Sequence, residues 1–101
     1  MKLPTHEDPQ VYEISKQLIS KDLQTTYEKI IHLITAFPNE PWGHNLLGCW
    51  FEIQGDVIHA MKHYRAAYAL DPSYDPSRMN IIEFQLHSRH TNSIYFNKES
   101  Q

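Results

Sequence analysis

Two histidines spaced four residues apart are the first candidates for chemistry in this sequence. His59 and His63 fall on one predicted helix, and imidazoles at this spacing can both ligate zinc. Two ligands do not complete a zinc site, which needs three or four protein ligands. The favoured interpretation is a pair of solvated surface histidines, and no metal site is predicted.

The chain has one cysteine, Cys49, so no disulfide can form within it and a reducing compartment is expected. Its sequence neighbours are apolar, which favours structural packing over a reactive thiolate. No phosphate-loop motif is present, and no nucleophile signature would orient Cys49 or a serine beside a histidine and an acid. We therefore expect neither an enzyme nor a cofactor site.

Composition indicates one small soluble domain. The 101 residues are 41% hydrophobic and 21% charged, with a formal net charge of −3 and no basic stripe that would hold a phosphate backbone. The first ten residues, MKLPTHEDPQ, lack the apolar core of a signal peptide, and no apolar run approaches the ~18 residues of a membrane span. The predicted location is cytoplasmic, with neither nucleic acid nor membrane as a partner.

Apolar residues recur at spacings of three and four along most of the chain, and no strand-like alternation occurs. This pattern predicts an all-α fold of five helices joined by short turns, which make neighbouring helices antiparallel. The helices are predicted at residues 9–20, from a cap at Asp22 to Pro38, at 41–54, from a cap at Asp56 to before Pro72, and from about Pro76 to Ser88.

Small residues stand at regular places among bulky ones in the second half of the chain. Gly48, Ala60 and Ala67 lie on the facing sides of the third and fourth predicted helices, where larger side chains would hold the helices apart. Gly55 falls between the two helices and suits a turn with positive φ. The sequence therefore predicts a close helix crossing.

Helix-ending prolines at Pro38 and Pro72 are 34 residues apart, which is the period of tetratricopeptide repeats. Residues 41–74 resemble one such repeat in six features: Leu47 and Gly48, Phe51, Ala60, Tyr64 and the closing Pro72. His44 stands where the family has tryptophan. The resemblance implies a short right-handed solenoid that binds proteins.

Two flanking segments resemble less complete parts of the same solenoid. Residues 9–40 look like a weaker repeat, with Ile14 and Ser15 at the Leu-Gly places and a turn that appears one residue shorter and lacks glycine. Residues 75–88 look like a capping helix. Residues 1–8 are predicted to be a flexible start, and residues 89–101 a mobile or loosely docked tail.

The family resemblance also implies a concave groove lined by the first helix of each repeat. In this register, the residues expected to face a partner there are Tyr12, Lys16, Trp42, Asn45, Cys49, Glu52, Met79 and Glu83. The set lacks the lysine and asparagine clamp with which some family members hold a C-terminal carboxylate. We expect an adaptor for a peptide or protein segment with apolar anchors.

An alternative from another class is self-assembly. Apolar residues cluster near the carboxyl end, and a short solenoid must cover its last hydrophobic face. A homodimer would bury these residues between chains: Ile81, Phe84, Ile94, Tyr95 and Phe96.

Overall fold

The computed structural model describes residues 7–86 and 94–98 of the chain. Within these ranges the fold is all-α, as predicted, and contains no strand. The five helices are α1 (Pro9–Ile19), α2 (Leu23–Ala36), α3 (Trp42–Ile53), α4 (Val57–Leu70) and α5 (Asp75–Leu86). Most predicted bounds agree to within one or two residues. The predictions for residues 1–6, for the end of the fifth helix at Ser88, and for residues 89–93 and 99–101 fall outside the described residues.

Acidic residues begin the helices as the sequence indicates. The Asp8 carboxylate accepts a hydrogen bond from the Gln10 N–H at 2.9 Å, with Pro9 as the first helical residue. Asp56 likewise accepts from the His59 N–H at 3.2 Å. Asp22 precedes α2 but makes no bond to the helix backbone, and its carboxylate accepts from the Thr25 hydroxyl at 2.9 Å.

The turns that join α1 to α2 and α3 to α4 have the same length and the same hydrogen bonds. The Asp22 N–H donates to the Gln17 carbonyl at 2.9 Å, and the Asp56 N–H donates to the Phe51 carbonyl at 2.9 Å. Each acceptor and each donor in the second turn lies 34 residues after its counterpart in the first. The prediction that the first turn is one residue shorter is therefore wrong.

The reason for that error is a residue in the left-handed region. Lys21 has φ 67°, and Gly55 has φ 85° at the equivalent place. A lysine can adopt this conformation at some cost in free energy, so the turn forms without glycine. The corrected alignment makes Ile14, and not Ser15, the counterpart of Gly48.

The 34-residue spacing extends to the ends of the second helices. The Phe37 N–H donates to the Leu33 carbonyl at 2.9 Å, and the Asp71 N–H donates to the Ala67 carbonyl at 3.0 Å. Beyond them, the bond from Glu40 to Phe37 has its counterpart in the bond from Tyr74 to Asp71, each at 3.1 Å. The two helical hairpins are thus a structural repeat.

Gly48 allows the close approach of α3 and α4 that the sequence predicts. A Cβ atom at this position would lie 2.5 Å from the Tyr64 ring and 3.1 Å from the Ala60 carbonyl oxygen. Ala60 and Ala67 are both buried on α4. A second close approach was not predicted: at Gly43, an added Cβ would collide with the Ile34 side chain, so glycine also brings α3 against α2.

One hydrophobic core runs through the described residues. Each helix packs on the next along the chain, and α1 also packs on α3. The core takes apolar side chains from all four helices of the repeat and from Tyr74 as well as residues beyond α5. These last residues, Ile94 and Phe96, are what place a chain segment at the candidate site.

Candidate functional site

Residues 94–98, here called the tail segment, lie against α3 and α5. Ile94 and Phe96 are 2% and 6% exposed, whereas the Tyr95 side chain between them is only partly buried. Alternation of this kind is typical of a non-helical segment that presents successive side chains to opposite sides. The segment therefore has two apolar anchors and one outward position between them.

Asn80 on α5 binds both backbone groups of one tail residue. Its Oδ1 accepts a hydrogen bond from the Tyr95 N–H at 2.8 Å, and its Nδ2 donates to the Tyr95 carbonyl oxygen at 2.7 Å. Asn80 is itself fully buried. Because these bonds go to the backbone, they do not depend on which side chain stands at position 95.

Asn45 on α3 adds a second set of contacts with the tail backbone. Its Nδ2 lies 3.0 Å from the Tyr95 carbonyl oxygen and 3.3 Å from that of Phe96, and its Oδ1 accepts from Asn80 Nδ2 at 3.0 Å. The Cys49 Sγ lies 3.5 Å from the Tyr95 carbonyl oxygen. We call the surface formed by Asn45, Cys49 and Asn80 the asparagine groove.

The far end of the tail segment meets the start of the described chain. The Glu7 carboxylate accepts hydrogen bonds from the Tyr74 hydroxyl at 2.5 Å and from the Lys98 N–H at 3.0 Å. Burial, together with the neighbouring Glu7 charge, raises the pKa of Tyr74 far above its ordinary value of 10.0. Tyr74 therefore remains a hydrogen-bond donor to Glu7 at all physiological pH values.

A short sequence pattern marks both asparagines. Pro41 and Pro76 each precede an asparagine by four residues and are fully buried near the start of their helices. The two patterns are 35 residues apart, one more than the repeat period. A strict 34-residue register places Met79 in the groove and misses Asn80, which makes the bidentate contact.

Asn45 and Cys49 are the two predicted groove residues that contact the tail segment. Glu52 lies in the interior between α3 and α4, where its carboxylate accepts a hydrogen bond from the Tyr64 hydroxyl at 2.6 Å. Trp42 is buried and packs on Phe37, with 5.1 Å between ring centroids.

The remaining predicted groove residues lie on α1 and α5. Tyr12 and Lys16 are exposed on α1, with the Lys16 ammonium 5.1 Å from the Tyr12 ring centroid. Met79 is half-buried and lines a shallow cavity together with Tyr95. Glu83 is half-buried on α5.

The histidines form a different pair from the one that the sequence suggested. His63 packs on His44, with 3.2 Å between the two Nδ1 atoms and stacked rings, and it also stacks on Phe51. His59 is exposed and contacts the Asp56 carboxylate at 2.8 Å. Burial lowers the pKa of His44, and burial and then the His44 charge lower that of His63.

No metal-binding arrangement accompanies these histidines in the part of the chain that the structure describes. There, no three side chains of histidine, cysteine, aspartate or glutamate converge in a geometry suited to a metal ion. Among the same residues, no helix combines the length and the apolar content required to cross a bilayer.

Comparison with models of protein families, with curated proteins and with solved structures finds no match to this chain. The site must therefore be interpreted from its own geometry. That geometry is a pair of buried amides whose donors and acceptors meet the backbone of a non-helical segment.

Proposed function

We propose that the chain is a non-catalytic adaptor of the tetratricopeptide type, and that it binds a segment of another protein in the asparagine groove. The observation that carries this proposal is the tail segment, whose Tyr95 backbone meets Asn45 and Asn80. A surface that satisfies the backbone of one peptide segment can satisfy that of another, because every residue except proline has the same N–H and C=O groups.

The repeat supports the architectural part of the proposal. Tetratricopeptide repeats have a 34-residue period, and the turn bonds at Asp22 and Asp56 recur at that spacing. A right-handed stack of two hairpins and a final helix would place α1, α3 and α5 side by side on the inner face. The asparagine groove uses two of these three helices.

Charge and chemistry fit a protein partner better than other ligands. The net charge is −3, and the groove contributes amides and a thiol where a nucleic-acid site would have cations. The adaptor would need no cofactor, and a cytoplasmic location remains part of the proposal because of the lone Cys49.

A peptide selection followed by mapping tests the proposal. Random decapeptides would be selected on phage against the full chain, and the peptides found would then be titrated into isotope-labelled protein. We expect the side-chain amide signals of Asn45 and Asn80 to shift, since these groups would exchange one backbone for another.

Matched variants sharpen this experiment. Asn80→Ala should weaken peptide binding at least tenfold, whereas Asn39→Ala, in the exposed loop before α3, should leave it unchanged. Peptides that bind both variants equally, or that shift only exposed residues away from the groove such as Tyr27 and Ile58, would refute the proposal.

Self-assembly, the alternative function, would have to use residues that are already engaged. Ile94 and Phe96 are buried within their own chain, so neighbouring chains could share them only by exchanging tail segments. Light scattering over a dilution series separates the two functions. The adaptor is expected to be a monomer at all concentrations, and a stable dimer would favour the alternative.

A further inference from the structure

The tail segment indicates which partner segments the asparagine groove would accept, provided that the proposed function holds. We propose that the groove selects segments with a branched aliphatic residue, one variable residue and then a phenylalanine. We further propose that the chain's own tail segment competes with such partners for the groove.

The selectivity follows from the burial of alternate side chains. Ile94 is 2% exposed and Phe96 is 6% exposed, so a partner must present apolar side chains of similar size at both positions. Between them, Tyr95 is bound through its N–H and carbonyl groups and its side chain is only partly buried. The outer two positions therefore discriminate, and the middle position does not.

The backbone contacts add a second rule. The N–H groups of Tyr95 and Lys98 both donate hydrogen bonds, to Asn80 and to Glu7 respectively. Proline has no N–H group, so it should be excluded from either position of a partner segment. An alanine at position 95 should be accepted, because it retains the N–H group.

Competition follows from the covalent link between the tail segment and α5. Seven residues of sequence separate Leu86 from Ile94, and short tethers give effective concentrations in the millimolar range. The apparent affinity for a free partner falls in proportion to the fraction of chains whose groove is empty. A tail that is docked in 90 to 99% of molecules would weaken partner binding by roughly ten- to a hundredfold.

The probe for this inference is a labelled peptide with the sequence of residues 92–101, NSIYFNKESQ. Its affinity would be measured by fluorescence anisotropy for the full wild-type chain and for a full chain carrying Ile94→Ala and Phe96→Ala. We expect the double variant to bind the peptide at least tenfold more tightly, because its own tail no longer competes.

Substitutions within the peptide test the selectivity on the same two proteins. Tyr95→Ala in the peptide should change its affinity by no more than about twofold, since the groove contacts the backbone there. Tyr95→Pro and Phe96→Ala should each weaken binding at least tenfold, through loss of a donor and of an anchor respectively.

A nuclear magnetic resonance titration of the wild-type chain keeps the inference testable if the double variant does not fold. Excess peptide should move the amide signals of Tyr95 and Lys98 away from their docked positions while the helices keep theirs. Signals that stay in place at saturation would overturn the competition, as would equal peptide affinity for a folded double variant and the wild type.

The remaining outcomes separate the two levels of the account. Equal binding of all four peptides, with loss in Asn80→Ala, would overturn the selectivity and leave the proposed function intact. Failure of every peptide, including those selected on phage, would remove both. A dimer that exchanges tails would overturn the claim that the competitor belongs to the same chain.

Discussion

The two hairpins of this molecule share a backbone and differ in the side chains that fill it. The hydrogen bonds of the first turn recur 34 residues later, yet Ile14 in α1 corresponds to Gly48 in α3. Their counterparts across each hairpin, Ile30 and Tyr64, are also different, and all but the glycine are large and fully or nearly fully buried. One hairpin packs two branched aliphatic residues where the other packs a tyrosine ring onto a glycine.

The comparison shows that turn geometry and interior volume are separate requirements. The turn is set by a left-handed residue at Lys21 or Gly55 and by the bond that closes the end of the preceding helix. The volume requirement applies to each facing pair as a whole, because interiors are packed to a nearly constant density. Equivalent positions should therefore respond in opposite ways to the same substitution.

The largest effect should come from substituting alanine at the two equivalent positions. Ile14→Ala removes buried atoms and should lower the free energy of unfolding by about 3 kcal/mol through a cavity. Gly48→Ala adds an atom 2.5 Å from the Tyr64 ring and should lower it by about 1 to 2 kcal/mol through overpacking. Urea denaturation measures both, and a stabilised Gly48→Ala variant would contradict the close helix crossing.

A related substitution tests the same crossing from α4. Ala60 is 1% exposed and faces Gly48, so Ala60→Leu should lower the free energy of unfolding by about 1 to 3 kcal/mol. Its counterpart in the first hairpin is Thr26, whose hydroxyl already accommodates itself by donating to the Asp22 carbonyl at 2.6 Å. Equal stability of Ala60→Leu and wild type in urea would place that residue at the surface.

A pH response should come from the second hairpin, since it contains the buried histidine pair. The pKa values of His44 and His63 lie below 6.5 in the folded chain, so the unfolded chain binds more protons at these residues as pH falls. The free energy of unfolding should therefore decrease as pH drops below about 6.5. The equivalent residues of the first hairpin, Gln10 and Lys29, are exposed and form no such pair.

Chemical denaturation between pH 8 and pH 5.5 measures this response. His63→Phe keeps an aromatic ring against Phe51 but cannot take up a proton, so its stability should vary less with pH than that of the wild type. A variant with the full wild-type pH dependence would show that the His44 and His63 pair is not its source.

The smallest effects should come from the two left-handed turn residues. Lys21→Gly relieves a conformation that is costly for lysine and should raise the free energy of unfolding by about 0.5 kcal/mol, net of the entropy of glycine. Gly55→Lys should lower it by about 1 kcal/mol, since no side chain is near enough to clash and only the φ of 85° matters. Changes of the same sign in both variants would contradict the equivalence of the turns.

Periodicity predicted the helices well because it depends on neighbours three and four residues apart. Apolar spacing, the prolines and the aspartate caps located all five helices, and Gly48 and Gly55 were assigned their roles from residue type alone. The first turn was misjudged because a lysine at φ 67° has no signature in the sequence. Gly43 was missed because its contact, Ile34, belongs to the other hairpin.

The candidate site was only partly predictable because its contacts join residues far apart in sequence. Asn45 and Cys49 were placed in a groove by the family resemblance, but Asn80 was missed by one position. Nothing in the local sequence of the tail shows that Ile94 and Phe96 are buried, and their partners lie on helices that begin many residues earlier. The repeated pattern of proline followed four residues later by asparagine was the available signal.

Hydrogen exchange at the Tyr95 backbone amide tests most directly whether the asparagine groove binds a peptide backbone. The account predicts that this amide is protected in the wild type and in Asn39→Ala, because it donates to Asn80 Oδ1 at 2.8 Å. In Asn80→Ala it should exchange at least tenfold faster, while amides within α3 and α4 keep their rates. An unprotected Tyr95 amide in the wild type, or equal protection in Asn80→Ala, would contradict the account.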